Sequence, residues 1–219
     1  MQKKLITACL ALVAFAAMAV VPALASASPI LTSEPNGAAV PVKTKIVARN
    51  VGNTRMTTSL GTIECTKASI TGEVTANSGT EIEGTITSAS FTGTGAEERC
   101  TTSFLGNIKV TPKKLPWCIK ATNKMTADTF ELKSGACGGA LGAMEFTLDS
   151  TTVGECTYTK TAVTGTFETK TTGHFTVSEQ EFVKSAGSGF CPGSGKLDMT
   201  FQLFTDTGVL DDTTNVWVS

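Results

Sequence analysis

Short runs of alternating apolar and polar residues recur from residue 30 to the end of the chain, and almost no segment has a helical period. In residues 70–75, Ile70, Gly72 and Val74 alternate with threonine and glutamate. The same alternation recurs in residues 82–86, 130–132, 144–148, 163–167, 175–177, 199–203 and 216–218. A period of two places successive side chains on opposite faces of a strand, so the pattern predicts antiparallel sheets with two distinct faces.

Threonine occupies many of the polar positions in these runs. Its branched Cβ suits an extended backbone, and its hydroxyl tolerates the face that contacts water. Gly, Asn, Ser and Pro separate the runs, as in Asn77-Ser78-Gly79. About a dozen short strands of this kind form either a sandwich or a pair of packed barrels. We predict an all-β, antiparallel β-sandwich.

The N-terminus has the parts of an export signal. Lys3 and Lys4 precede an apolar run over residues 5–21, which a proline ends, and small residues then offer two cleavage sites. This arrangement is typical of a secretory signal peptide. We predict that residues 1–27 are removed. Residues 28–219 would then be a secreted chain, extracellular or associated with the cell envelope.

Two alternatives explain the N-terminal segment less well. A retained membrane anchor would need a more hydrophobic run than this alanine-rich one. A lipidated cysteine would follow the apolar run, whereas Cys9 precedes most of it. No second long apolar stretch follows in the sequence, so we expect no membrane span after signal cleavage.

The charge of the mature chain is small and mixed. Lys3 and Lys4 leave with the signal while no acidic residue does, which lowers the 18 basic residues to 16 against 19 acidic ones, a net charge near −3. Nucleic-acid binding requires a basic stripe or patch, and the sequence has none. We therefore expect no nucleic-acid partner.

Six cysteines remain after signal cleavage. They are Cys65, Cys100, Cys118, Cys137, Cys156 and Cys191. An even count in an exported chain indicates three disulfides, with fifteen possible connectivities. A zinc site would need ligands two to four residues apart, whereas the closest cysteines are 18 apart. We expect no metal site and no cofactor.

A weak internal repeat suggests one of these connectivities. Cys65 and Cys156 each stand in a Glu-Cys-Thr triplet, and each is followed by another cysteine 35 residues later, Cys100 and Cys191. A phenylalanine precedes each second cysteine by nine residues. We interpret two segments of the chain, about residues 45–112 and about residues 138–205, as related halves.

The repeat predicts the disulfides Cys65–Cys100 and Cys156–Cys191, one in each half, and leaves Cys118–Cys137 to close the connection between them. Loops of these lengths contribute roughly 3–4 kcal/mol each in the chain-entropy model.

Several short motifs resemble a group of uncharacterised, secreted, threonine-rich β proteins of high-GC actinobacteria. The motifs are Leu31-Thr32-Ser33 with Gly37, Val40-Pro41-Val42, Gly61-Thr62-Ile63-Glu64-Cys65, Thr71-Gly72-Glu73-Val74, Cys191-Pro192, Leu197-Asp198 and Thr205-Asp206-Thr207. The resemblance spans most of the mature chain. It implies an exported β protein and carries over no activity.

His174 is the natural candidate for a general base, because it is the only histidine. A Ser-His-Asp triad is assembled in space and leaves no fixed sequence order. No Gly-x-Ser-x-Gly elbow occurs, since residues 187–189 and 193–195 lack its outer spacing. We interpret His174 as a histidine at a strand edge and assign no catalytic residue.

Paired carboxylates suggest glycoside hydrolysis, which needs two acids on either side of a sugar. Glu81 and Glu83 share one strand face, and Glu97-Glu98 stands in a loop beside Arg99. Few aromatic residues accompany them. We interpret all four as solvated charges.

Oxygen-rich and glycine-rich segments are the remaining candidates. Asp206, Asp211 and Asp212 surround Gly208 without the EF-hand spacing for calcium, and a hairpin to the Trp217 strand explains them. Residues 92–95 and 135–139 are glycine-rich but lack the following helix and lysine of a phosphate-binding loop. We interpret these segments as turns.

Three functions remain open for the mature chain. We favour a non-catalytic binding or structural module of the cell surface, whose partner would be a cell-wall or other extracellular polymer. An extracellular hydrolase that uses His174 or a carboxylate pair is the first alternative. A carrier of small apolar ligands is the second.

Overall fold

The computed structural model describes residues 31–35, 37–79, 81–122, 129–168, 173–206 and 213–218. The predicted signal peptide, residues 1–27, lies outside these ranges. Strands dominate the described residues, and every strand pairing is antiparallel. The predicted antiparallel all-β fold is therefore confirmed.

The strands fall in the following order along the chain. They are β1 (Leu31–Thr32), β2 (Lys45–Asn50), β3 (Thr54–Thr58), β4 (Gly61–Cys65), β5 (Lys67–Ser78), β6 (Glu81–Thr92), β7 (Cys100–Thr102), β8 (Gly106–Lys113), β9 (Trp117–Thr122), β10 (Thr129–Ser134), β11 (Met144–Ser150), β12 (Gly154–Lys160), β13 (Val163–Glu168), β14 (His174–Gly187), β15 (Ser194–Asp206), β16 (Thr213–Asn215) and β17 (Trp217–Val218). A 3₁₀ turn at Ala96–Glu98 interrupts them.

The paired strands form two closed circuits, which we call the first and the second ring. The first ring runs β2, β5, β6, β9, β10, β13, β14 and β15, and then returns to β2. The second ring runs β14, β12, β11, β8, β7, β4, β3 and β15, and then returns to β14. The long strands β14 and β15 belong to both rings. The first ring uses residues 174–177 of β14, and the second uses residues 180–187.

Alternation places one face of each long strand inside a ring. Ile70 and Val74 of β5, and Ile82 and Ile86 of β6, are all buried, while the threonines and glutamates between them are more exposed. The buried side chains of both rings form one continuous core. Their burial supplies the main favourable term in folding.

Aromatic side chains pack in two clusters within the core. Around Phe146 of β11, the side chains of Phe91, Trp117 and Phe182 meet it edge-on, with aromatic centroids 5.4–5.7 Å apart. In the first ring, Phe175 meets Phe130 edge-on at 5.6 Å and stacks on Phe201 at 5.1 Å. Such pairs add to the stabilisation from area burial alone.

A small two-stranded sheet, β1 with β17, lies beside the first ring. The side-chain amide of Asn77 holds it, because Nδ2 donates to the carbonyls of Leu31 and Val40 while Oδ1 accepts from the Leu31 N–H. Asn77 therefore lies in β5 and not in the predicted turn. The Trp217 strand pairs with β1, and the hairpin partner of β15 is β16.

The disulfides are Cys65–Cys100, Cys118–Cys137 and Cys156–Cys191. These are the pairs that the cysteine spacing predicts. The predicted halves, about 45–112 and 138–205, do not form one ring each, since both rings take strands from both ranges. The duplication, and the sandwich built from two halves, stay predictions.

Candidate functional site

Four loops lie together at the end of the second ring that faces away from the first. They join β3 to β4, β7 to β8, β11 to β12 and β14 to β15, and their residues are 59–60, 103–105, 151–153 and 188–193. The ring order places these loops one after another around the opening. We call these four loops the loop end.

Three of the four loops share a local sequence, in which hydroxyl residues precede an apolar residue and a glycine. The apolar residues are Leu60, Leu105 and Val153, and they pack against the core. The glycines Gly61, Gly106 and Gly154 have positive φ values of 110°, 71° and 77°, which residues with a Cβ rarely adopt. Each loop therefore turns tightly and directs one apolar side chain inward, which covers the opening of the ring.

Two phenylalanines of the loop end point the other way. Phe104 is 72% exposed and Phe190 is 78% exposed, the largest values among the exposed large apolar residues that the structure describes. No charged residue occurs in segments 58–61, 102–106, 150–154 or 187–195. An exposed apolar surface of this kind marks an interaction site more often than an isolated apolar residue does.

Three hydroxyl groups at or beside the loop end donate to its carbonyls. Thr58 Oγ1 donates to the Gly61 carbonyl at 2.9 Å, and Ser150 Oγ donates to the Leu105 carbonyl at 2.8 Å. Ser188 Oγ donates to the Val153 carbonyl at 3.3 Å. The last two bonds join neighbouring loops, so the loops support one another.

A disulfide holds the chain beside one of the two exposed phenylalanines. Phe190 adjoins Cys191, which is bonded to Cys156 of β12. The Cys65–Cys100 disulfide joins β4 to β7 at the strand ends that lie away from the loop end.

Tyr158 anchors the same β14–β15 loop from the core. Its buried hydroxyl donates to the Pro192 carbonyl at 2.9 Å. Burial raises the pKa of Tyr158 to about 12, because an apolar surrounding disfavours the phenolate.

His174, the histidine candidate, lies at the start of β14 in the first ring. Its Nδ1 is 3.2 Å from Glu168 Oε2 on the neighbouring strand. Among the residues that the structure describes, no serine or threonine hydroxyl is hydrogen-bonded to the imidazole of His174. The histidine begins a strand that is paired on both sides, with Glu168 of β13 and Gln202 of β15 opposite it, so the strand-edge interpretation was wrong.

The carboxylates Glu81 and Glu83 both form ion pairs with Lys120 of β9. Glu83 has only 16% of its side chain exposed, so the interpretation of both as solvated charges was wrong for this residue. Lys120 donates to Glu81 and holds the pKa of that carboxyl below its usual value. The Lys120 ammonium thus pairs with both acids.

The second acidic pair has a structural environment of its own. Glu97 and Glu98 have positive φ values in the 3₁₀ turn, and Arg99 bonds to both Glu97 and Asp149. Asp206 ends β15 opposite Thr213 of β16. The other members of the calcium candidate, Gly208, Asp211 and Asp212, lie outside the described residues.

The glycine-rich segments form turns, as the sequence predicts. Gly93 and Gly95 donate their N–H groups to the carbonyls of Glu98 and Arg99, and Gly139 donates to Ala136. In the described ranges, no three of the His, Cys, Asp and Glu side chains are grouped as they would be around a metal ion.

The rings contain two small apolar cavities. The first ring holds one of about 60 Å³, beside Ile46, Phe175 and Leu203, and the second holds one of about 30 Å³ beside Phe146 and Leu197. An apolar cavity of roughly 150 Å³ accommodates a benzene molecule. Both cavities are therefore smaller than a benzene-sized ligand requires, and we interpret them as packing defects.

Two open grooves of about 350 Å³ each lie beside β6. Ser90 and Thr92 line both of them. Two of the charges there have partners within the protein, since Arg99 bonds to two carboxylates and Arg49 lies 5.6 Å from the Phe204 ring centroid.

The loop end is the feature that sequence reasoning missed. Neither Phe104 nor Phe190 belongs to one of the alternating runs that predict strands in the sequence. The available signal was the absence of charge in four turns that each contain a large apolar residue.

Comparisons with protein-family models, with curated protein sequences and with solved structures find no significant match to this chain. In the described part of the chain, no helix has the length and apolar character required to cross a membrane. Three disulfides in one domain are typical of proteins that fold in an oxidising compartment.

Proposed function

We propose that this protein is an exported, non-catalytic binding module that attaches to the cell envelope through its loop end. The main observation behind this proposal is that Phe104 and Phe190 are both exposed, on loops without any charged residue. Loops positioned by a rigid sheet scaffold are where binding surfaces are commonly found.

The rigidity of the loop end supports this proposal. A disulfide adjoins Phe190, and hydrogen bonds from Ser150 and Ser188 connect the loops. A surface that is already ordered loses little conformational entropy when it binds. Replacing the exposed phenylalanines should not disturb the packing of neighbouring side chains, so binding is testable separately from folding.

The test is co-sedimentation of the oxidised protein, residues 28–219, with complete envelopes of the producing organism, walls and membranes together. We expect saturable binding that falls at least tenfold in the variant with Phe104→Ser and Phe190→Ser. The matched control replaces Leu115 and Leu141, which are also exposed but lie outside the loop end, and should bind as the wild type does.

A thermal-shift measurement accompanies the sedimentation. A partner that binds only the folded state raises the melting temperature, so envelope fragments should raise it for the wild type and not for the double phenylalanine variant. Equal binding by the two proteins, or no binding by either, would overturn the proposed function.

A further inference from the structure

We propose that the disulfide Cys118–Cys137 is a site of thiol–disulfide exchange with a dithiol reductant. Opening this bond releases residues 135–143, which join β10 to β11, from the wall of the first ring, while both rings stay folded. We call these residues the tethered loop. The inference goes beyond the proposed function, since it does not involve the loop end.

Exposure distinguishes this disulfide from the other two. Cys137 is half-buried, whereas the four cysteines of the other disulfides are each at most 5% exposed. A disulfide opens when a thiolate reaches one of its sulfur atoms, so access selects the bond that is attacked. A reductant in solution should therefore reach Cys118–Cys137 first.

The tethered loop covers the second cysteine of the pair, Cys118 of β9. The side chains of its neighbours, Trp117 and Ile119, pack in the core, so alternation directs Cys118 to the outer face of the first ring. On that same face the side chain of Lys120 is 40% exposed, but Cys118 is only 2% exposed. We infer that the loop to which Cys118 is bonded supplies this cover.

Few other bonds hold the tip of the tethered loop, residues 136–141. Its neck is closed by Ser134 and Gly142, whose N–H groups donate to each other's carbonyls at 3.1 and 2.8 Å. In the tip, the Cys137 N–H donates to Thr85 Oγ1 of β6 at 3.4 Å. Within the described chain, no other backbone N–H of the tip has an acceptor outside the loop. Without the disulfide, one long hydrogen bond is left to hold the tip.

Glycine content favours release once the bond opens. Four of the nine residues of the tethered loop are glycines, and Gly135 and Gly138 have φ values of 110° and 80°. Glycine loses more conformational freedom than any other residue when it is ordered, so it also regains the most on release. The released state of this loop is therefore favoured by entropy.

Strand pairing keeps the first ring closed without the disulfide. Cys118 lies between Thr85 of β6 and Lys133 of β10, and β9 is paired with both of these strands. The backbone hydrogen bonds of these pairings do not involve the sulfur atoms. Reduction should thus change the tethered loop and leave the ring intact.

The exchange takes two steps and consumes one dithiol. A thiolate of the reductant attacks Cys137 Sγ, the S–S bond breaks, and Cys118 leaves as a thiolate that takes a proton from water. The second thiolate of the reductant then attacks the reductant sulfur that is bonded to Cys137, and Cys137 leaves and is protonated in turn. The protein gains two electrons and two protons, and the dithiol is oxidised to a disulfide.

The direct test is reduction of the oxidised protein, residues 28–219, by dithiothreitol without denaturant. Samples taken over time are alkylated and analysed by peptide mass spectrometry, while circular dichroism verifies that the fold is retained. We expect Cys118 and Cys137 to be alkylated together, about tenfold faster than the other four cysteines.

Limited proteolysis with thermolysin reports release of the loop. This protease cleaves before large apolar residues, and the tethered loop contains one, Leu141. The reduced protein, and the variant Cys118→Ala with Cys137→Ala without reductant, should be cut there about tenfold faster than the oxidised protein. The matched control, Cys156→Ala with Cys191→Ala, keeps the tether and should be cut there at the wild-type rate.

Two outcomes would overturn the inference. The first is alkylation of another cysteine pair before this one, or of all six cysteines at a single rate, because reduction would then require unfolding. The second is equal cutting before Leu141 in the oxidised and the reduced protein, because the disulfide would then not control the loop. Neither outcome bears on binding at the loop end, so the proposed function is tested separately.

Discussion

The two ends of the molecule differ in surface chemistry, although antiparallel strand pairing builds both rings. At the end of the first ring, the described residues include the ion pairs of Lys120 with Glu81 and Glu83, and the contact of His174 with Glu168. The loop end of the second ring contains no charged residue. Backbone hydrogen bonds close both rings, so the strand ends and loops are free to differ, and the candidate site is found there.

The largest expected effect comes from the two aromatic clusters of the core. Phe146→Ala in the second ring and Phe175→Ala in the first should each lower the free energy of unfolding by about 3–5 kcal/mol. Because β14 and β15 belong to both rings, each variant should still unfold in a single transition. Urea unfolding followed by tryptophan fluorescence and by circular dichroism measures this.

Two separate transitions in either phenylalanine variant would show that the rings are independent units. Phe104→Ser is the control, because a highly exposed residue should change the free energy of unfolding by less than about 0.5 kcal/mol.

The disulfides provide a smaller contrast. Cys156→Ala with Cys191→Ala opens a loop with a separation of 35 residues in the second ring, and Cys118→Ala with Cys137→Ala opens one of 19 beside the first. The chain-entropy model expects losses of roughly 4 and 3 kcal/mol. Urea unfolding without reductant measures both, and a greater loss for the shorter loop would contradict the model.

Tyr158 makes the second ring sensitive to alkali. Its pKa is raised in the folded protein, from 10.0 to about 12, so its contribution is fully present below pH 10 and is lost as the pH rises toward 12. Tyr158→Phe should cost about 0.5–1.5 kcal/mol at pH 7 through the lost hydrogen bond. It should also flatten the alkaline fall in unfolding free energy. An unchanged alkaline fall would assign it to other groups.

Lys120 makes the first ring sensitive to acid, with the smallest effect. The pKa of Glu81 is lowered by Lys120, so the contribution is present above the usual carboxyl pKa of 4.5 and is lost as the pH falls below it. Lys120→Met should remove up to about 1 kcal/mol at pH 7, because the pair is partly exposed. The difference from wild type should shrink toward pH 3, and a constant difference would contradict this.

The sequence predicts the local features of this fold well. Alternation identifies the buried faces of β5 and β6, because the side chains of a strand alternate whatever its partner is. Equal cysteine spacing predicts the same disulfides that the structure contains. Closure of the two rings was not predictable in this way, because β15 pairs with β2 and β3 across most of the chain.

The candidate site was not predicted for a related reason. Phe104 and Phe190 come to one surface only because the ring order brings four loops that are distant in sequence to the same opening. Lys120 likewise stands nearly 40 residues from Glu83, and the strand pairing of β6 with β9 brings the two together. The candidate residues become neighbours in space through the pairing of strands that are far apart in the sequence. No local sequence pattern encodes such pairing.

The sharing of β14 and β15 has a consequence for the order of folding. Both rings stay open until residues 174–206 are present, since these strands supply the last pairings with β2, β3, β12 and β13. A chain that is delivered from its N-terminus therefore stays incompletely folded until most of it has emerged. Such dependence on distant pairings makes folding slow, and under the proposed export it would leave the chain in a form that a translocation channel can pass.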